Sequence, residues 1–190
     1  QQCRDLVAVL QAPGLVALEL HGDLEQRERD QVLVQFANRS CSVLVATDVA
    51  ARGLDIAGLD AVINVDITPD PAVHTHRVGR TGRAGESGLA FSLASLDEMD
   101  RVGRIDQMQG CDSRWHPLAE LKAVAGAPLR PPMVTLQILG GRKEKIRKGD
   151  VLGALTKDLG LDAARVGRID VNDFSTYVAV QRDVAEQALR

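Results

Sequence analysis

Three short apolar runs, SVLVAT (42–47), AVINVD (61–66) and GLAFSLAS (88–95), stand between segments of helical periodicity. Strands covered on both faces of a parallel sheet read as nearly continuous apolar stretches, not as alternation. A fourth such stretch, PGLVALEL, ends near Leu20. The intervening segments have the 3.6-residue period. Residues 3–11 set Leu6, Val7 and Leu10 on one face, and the segment after Asp23 turns Val32, Leu33 and Phe36 inward with Asp23 as its cap. Two more helices are expected, from Pro71 through PAVHTHRVGR and over residues 96–108, beginning near Leu96 or Asp97. Strands alternating with helices of this length predict an α/β domain with a mostly parallel sheet.

Residues 109–132 change character, ending in Pro128, Pro131 and Pro132, which fit neither a helix interior nor a central strand. The expected organisation is a domain over 1–110, a linker over 111–132 and a second domain over 133–190. That second domain reads as βαββα. Its strands are MVTLQIL (133–139), VGRIDV (166–171) and STYVAVQ (175–181), the last two joined by an Asn-Asp turn. GGRKEKIRKG forms a basic loop, Asp150 caps the helix DVLGALTKDLG, and DVAEQALR begins a second helix. A small α+β domain of the RRM type needs one further strand, so it is expected to be incomplete, with a sheet edge open to pairing.

Charge divides along the same line. Residues 1–130 hold 13 Lys and Arg against 18 Asp and Glu, and residues 131–190 hold 10 against 8. A net charge of −3 excludes a uniformly basic coat, and the split suits two domains with different partners. Cys3, Cys41 and Cys111 match no metal or redox spacing and read as reduced thiols. No apolar run is long enough to span a bilayer and no signal peptide is evident, so a cytoplasmic protein without membrane contact is expected. Only one Trp, one Tyr and three Phe are present, which bears on RNA recognition by stacking.

The strongest chemical signal is His76-Arg77-Val78-Gly79-Arg80-Thr81-Gly82-Arg83. Three arginines recur every three residues with glycines between them. Guanidinium forks suit phosphate oxygens and stay charged at physiological pH. A second string, Thr47-Asp48-Val49-Ala50-Ala51-Arg52-Gly53-Leu54-Asp55, directly follows an apolar strand, at the carboxyl edge where open α/β domains place ligands. A third, His21-Gly22-Asp23 with Gln26 and Arg29, also lies just past a strand end. Taken singly, Asp48 and Asp55 read equally well as helix caps, and Gln26 with Arg29 as a surface pair.

Together and in this order, the three strings closely resemble the C-terminal RecA-like domain of DEAD-box RNA helicases over roughly residues 1–96. ATDVAARGLD resembles motif V, HRVGRTGR motif VI and QRER the QxxR element. The resemblance implies that Arg80 and Arg83 are arginine fingers for the ATP γ-phosphate. It also implies that Asp55 positions the ribose beside Gly53, and that His76 and Arg77 belong to the interface between two lobes. By the same resemblance Gln26, Arg29 and Thr47 contact the RNA sugar–phosphate backbone, with Gly22 in a loop beside it. ATP and Mg2+ are implied for the complete enzyme, neither held tightly by this chain, and no residue reads as a metal ligand. The sequence contains no G-x-x-x-x-G-K-[ST] phosphate loop and no Asp-Glu-Ala-Asp box. The family carries both on its first RecA-like lobe, so that lobe is an expected partner, and the chain alone is expected to be inactive.

The tail, through the string GDVLGAL after its basic loop, resembles the RNA-binding domain of the DbpA group of bacterial DEAD-box helicases. That implies a hairpin of 23S ribosomal RNA as target and the large-subunit precursor as partner. Arg142, Lys143, Lys145, Arg147 and Lys148 form a dense cationic loop able to displace counterions from phosphates, and Lys157, Arg165 and Arg168 are candidates to extend it. The first tail strand has no aromatic, and Tyr177 reads as packing, not as a base platform. The competing reading is a non-catalytic RNA-binding module; a different superfamily 2 translocase fits the motif V string less well.

Overall fold

A computed structural model describes residues 2–51, 59–82, 87–122, 126 and 129–189. They fall into two compact units, residues 1–52 with 126–190 and residues 53–125.

The first unit opens with α1 (Gln2–Gln11), β1 (Ala17–Leu20), α2 (Gln26–Ala37), β2 (Val43–Ala46) and α3 (Asp48–Ala51). β1 and β2 pair in parallel from Ala17↔Val43 to Leu20↔Ala46, and Thr47 N–H donates to the Leu20 carbonyl at 3.1 Å. Both strands therefore end at one edge. Ala17 and Leu20 are buried, whereas β2 is only half-buried, short of the two-face burial its apolar run predicts. A strand in a two-stranded sheet has one edge unpaired, and that limits its cover. α2 starts two residues later than an Asp23 cap requires. Glu25 is its N-cap, and Glu25 N–H donates to Glu28 Oε2 at 3.1 Å. A carboxylate three residues into the helix meets the N-terminal dipole and an orphan N–H together.

The tail of the same unit contains β5 (Met133–Ile138), α6 (Lys148–Gly153), β6 (Val166–Val171), β7 (Thr176–Gln181) and α7 (Ala185–Ala188). Its antiparallel sheet has the order β5-β7-β6. Central β7 is buried over Thr176–Val180. Val178 and Val180 pack with Val151, Leu155, Leu161 and Ala185, and full burial of each valine or leucine contributes about 1.5–3 kcal/mol. Asp150 is not the cap of α6 but sits three residues inside the N-cap Arg147, whose N–H it accepts at 3.0 Å. The helix continues through a π-helical turn, Ala154–Asp158. The outer edge of β5 is partly occupied: Met133 N–H reaches the Arg39 carbonyl at 3.4 Å, and the Thr135 hydroxyl meets Asn38 Nδ2 at 3.2 Å and Ser40 Oγ at 2.6 Å.

The second unit contains β3 (Ala61–Asn64), α4 (Pro71–Val78), β4 (Leu89–Ser92) and α5 (Met99–Gln109). β3 and β4 are parallel from Ala61↔Leu89 to Asn64↔Ser92. β4 is exposed along its length, another departure from the burial expected of its apolar run. Ile67, Val102 and Ile105 form the core, with Ala94 against them. As expected, the helical segment opens at Leu96, through a turn over Leu96–Glu98 that leads into α5; Ser95 flanks it, and its N–H and hydroxyl both donate to Glu98 Oε2 at 3.0 Å. These bonds, with the Arg101 cation beside it, hold the Glu98 carboxyl below its ordinary pKa. Among the described residues no helix is long and apolar enough to cross a membrane.

Candidate nucleotide and RNA interface

Because β1 and β2 run parallel in register, the residues just past their carboxyl ends arrive together. Thr47 is exposed immediately after β2, and His21-Gly22-Asp23 follow β1. His21 is buried and Nδ1 accepts the Asp23 N–H at 3.3 Å, which bends the chain so that Gly22 faces outward. A Cβ at Gly22 would meet nothing within 4 Å, so internal packing does not demand glycine there. α2 then presents exposed Gln26, bonded through Nε2 to Asp30 Oδ1 at 2.7 Å, and half-buried Arg29. Arg29 Nη2 donates to the Ala50 carbonyl at 2.7 Å. That charge-assisted bond, of a kind worth about 1.5–3 kcal/mol, ties the QRER helix to the ATDVAA helix. Gly22 and Thr47 thus lie just past the shared strand ends, and Gln26 and Arg29 on the helix that follows β1. Gly53 and Asp55 lie outside the described residues.

In the second unit the arginine-rich string is built on α4. Asp70 caps it, accepting the Ala72 N–H at 2.9 Å, and Pro71 supplies a preset φ at the first turn. His76 and Arg77 fall in the last turn, where cations meet the helix dipole favourably. His76 is exposed. Arg77 Nη1 turns back to the Asp66 carbonyl at 2.8 Å and Asn64 Oδ1 at 3.4 Å. Asn64 is buried at the end of β3, and its Nδ2 donates to Ser92 Oγ at 3.1 Å, so one side chain joins both strands to the motif. Sequence reasoning missed this residue. Its only signal is a polar side chain closing an apolar run.

Past α4, the Leu59 N–H donates to the Arg80 carbonyl at 3.2 Å and the Thr81 hydroxyl donates to the Leu59 carbonyl. Gly88 packs so tightly on this turn that a Cβ would lie 1.9 Å from Thr81 Oγ1 and 2.4 Å from Gly82 N. Arg80 is therefore carried on a turn fixed at both ends. Arg83 lies outside the described residues. His74, one turn earlier, is buried; burial lowers its pKa from the ordinary 6.5, the Arg77 cation lowers it further, and Asp106 opposes. The arginine forks offer donors suited to phosphate oxygens, and no cluster of metal-binding side chains occurs among the described residues.

In the tail, Arg142, Lys143, Lys145, Arg147 and Lys148 are all exposed. They form a wound segment instead of an open loop: Arg142–Glu144 is a 3-10 turn, Lys145 is left-handed with φ 64°, and Lys148 already belongs to α6. Arg142 Nε pairs with Asp173 at 2.9 Å. Of the candidate extensions, Arg165 pairs with Asp183 and Arg168 with Asp170 at 2.8 Å, and Lys157 is exposed. Tyr177 is 9% exposed and its hydroxyl accepts from Gln137 Nε2 at 3.3 Å, so it packs and offers no ring face.

Residues 1–85 match the helicase conserved C-terminal domain, and residues 135–190 match the DbpA RNA binding domain. The ATP-dependent RNA helicase DbpA of Escherichia coli is 50% identical over 188 residues, covering 99% of this chain and 41% of that protein. The ATP-dependent RNA helicase DBP2 of Saccharomyces cerevisiae is 49% identical over 80 residues, 42% of this chain and 15% of its own length. Among solved structures, a DEAD box protein from Methanococcus jannaschii aligns at TM-score 0.55 and 35% identity, over 58% of this chain and 31% of that one. E. coli SrmB, in its structure bound to regulator of ribonuclease activity A, aligns at 0.59 and 31%, over 68% and 76%.

The first domain is thus a RecA-like C-terminal helicase lobe in a mixed α/β chain that ends in a small sheet domain. The chain belongs to the DEAD-box RNA helicase family, as the C-terminal portion of a DbpA-like member with an RNA-binding domain. It spans about two fifths of the E. coli relative's length.

Proposed function

We propose that this chain is the RNA-responsive half of an ATP-dependent helicase directed to a 23S rRNA hairpin during large ribosomal subunit assembly. Arg80 and Arg83 serve as arginine fingers to an ATP, with its Mg2+, held mainly by a first RecA-like lobe, while Gly53 and Asp55 meet the nucleotide. His76 and Arg77 line the junction between lobes. Thr47, Gln26, Arg29 and Gly22 track the RNA backbone, and the basic turn of the tail selects the transcript in a cytoplasmic setting.

The observation that carries this reading is the Arg29–Ala50 bond, which puts the backbone-contacting helix and the motif V helix into one rigid rim at the strand ends. Phosphoryl transfer needs charge stabilisation, and an arginine finger is worth about 10³–10⁵ in rate. Supplying it from a second lobe makes hydrolysis depend on closure, which RNA spanning both lobes favours. Contacts to phosphate and sugar carry no sequence information, so selection falls to the tail.

The test is RNA-stimulated ATPase of the complete protein containing this chain. Arg80→Ala and Arg83→Ala are each expected to lower turnover by about three powers of ten or more with RNA affinity retained. The 190-residue chain alone is expected to hydrolyse no ATP. Full turnover in either arginine variant would leave only the RNA-binding reading standing.

A further inference from the structure

The tail sheet has one strongly exposed aromatic that neither the motifs nor the core accounts for. Phe174, 72% exposed, sits in the turn joining β6 to β7. A lone exposed phenyl has many explanations, but here the turn is joined to the cationic segment at several points. Arg142 N–H donates to the Asn172 carbonyl at 2.8 Å, Lys143 N–H donates to the Asp173 carbonyl at 3.0 Å, and Arg142 Nε bonds Asp173 Oδ1 at 2.9 Å. Asn172 N–H closes the turn on the Ser175 carbonyl at 2.8 Å, and the buried Thr176 hydroxyl donates to the Gly140 carbonyl at 2.9 Å. The approach is so close that a Cβ on Gly141 would lie 2.2 Å from the Asn172 oxygen. Aromatic and cations therefore form one rigid surface at one end of the sheet. The sheet face is unsuited to this task, since Tyr177 is packed away.

We propose that Phe174 is a stacking platform for an unpaired RNA base, with Lys143 and the remaining donors of Arg142 taking the adjoining phosphates. A ring flanked by cations is how single strands are held: bases stack on any π-face while the charges follow the backbone. Double-stranded RNA offers no such base, so the platform discriminates unpaired from paired RNA. This rests on the reading of the tail as the RNA-selecting domain.

The experiment measures binding of the 190-residue chain, at moderate salt, to a hairpin with 2-aminopurine in its loop and to a blunt duplex of equal length. Phe174→Ala and Phe174→Leu are expected to weaken hairpin binding roughly five- to a hundredfold, to abolish the fluorescence change on stacking, and to leave duplex affinity unchanged. Phe174→Tyr should restore all three. Thermal midpoints should match the parent chain, because the ring contributes little to the core. Undiminished hairpin binding by Phe174→Ala, or equal loss on hairpin and duplex, overturns the platform. If alanine at Arg142, Lys143 and Lys145 abolishes binding while Phe174→Ala does not, the platform falls and the RNA-selecting tail stands. If the parent chain binds neither RNA, both fall.

Discussion

His74 links stability to pH at the scale of a single side chain. Its imidazole is buried in α4, with a buried Nδ1 that has no hydrogen-bond partner among the described residues, and burial followed by the Arg77 charge pulls its pKa down from 6.5. The unfolded chain takes up this proton near pH 6.5 while the folded chain does so only at lower pH. Below that point the unfolded state binds more protons, so stability falls as pH drops and is recovered above it. We expect the thermal midpoint to decline between about pH 7 and about pH 5, and His74→Gln to flatten that acid limb. Identical pH profiles for parent and variant would remove His74 from the account. Cys41 is also buried, its thiol pushed up to about 12, so it remains a neutral, poorly nucleophilic group.

Among the elements, the two touching turns of the tail make the sharpest demand on sequence. Alanine at Gly141 must force the Asn172 and Asp173 backbone away from the basic turn. Overpacking of this kind costs about 1–3 kcal/mol, so Gly141→Ala should lower both the unfolding midpoint and hairpin affinity; an unchanged midpoint would show that the turns can part freely. The strands and helices were legible because the period and length of the apolar runs distinguish one kind of element from the other. Their starting points were less so. Several acceptors compete within the first turn of α2 and α6, and Glu28 and Asp150 lie three residues inside their N-caps, accepting the N–H of Glu25 and of Arg147, instead of Asp23 and Asp150 standing as the caps themselves. Partial burial of β2 and β4 was not legible, since an apolar run does not reveal how many neighbours its strand will have. The Arg168–Asp170 pair could have been found, because residues two apart on a strand share a face. The Arg165–Asp183 pair could not, as it joins residues 18 apart. The helicase strings were legible through guanidinium spacing, whereas Asn64 gives no comparable chemical signal.

For the molecule as a whole, the Arg29 side chain reaches from α2 to the main chain of α3, and on the proposed function it is the link through which RNA binding is passed on. If RNA engages α2, the helix leading toward Asp55 is pulled by the same guanidinium. Arg29→Ala is therefore expected to reduce RNA-stimulated ATPase of the complete protein by about tenfold or more, the worth of a charge-assisted bond, while RNA affinity falls by less. Equal losses in both would mean that Arg29 only binds. The acceptor at residue 50 belongs to the peptide itself, so no exchange of side chain at that position can delete it. The tether can be tuned from only one of its two ends, and a drifting sequence can loosen the link between α2 and α3 only by changing the arginine or displacing the helix it grips.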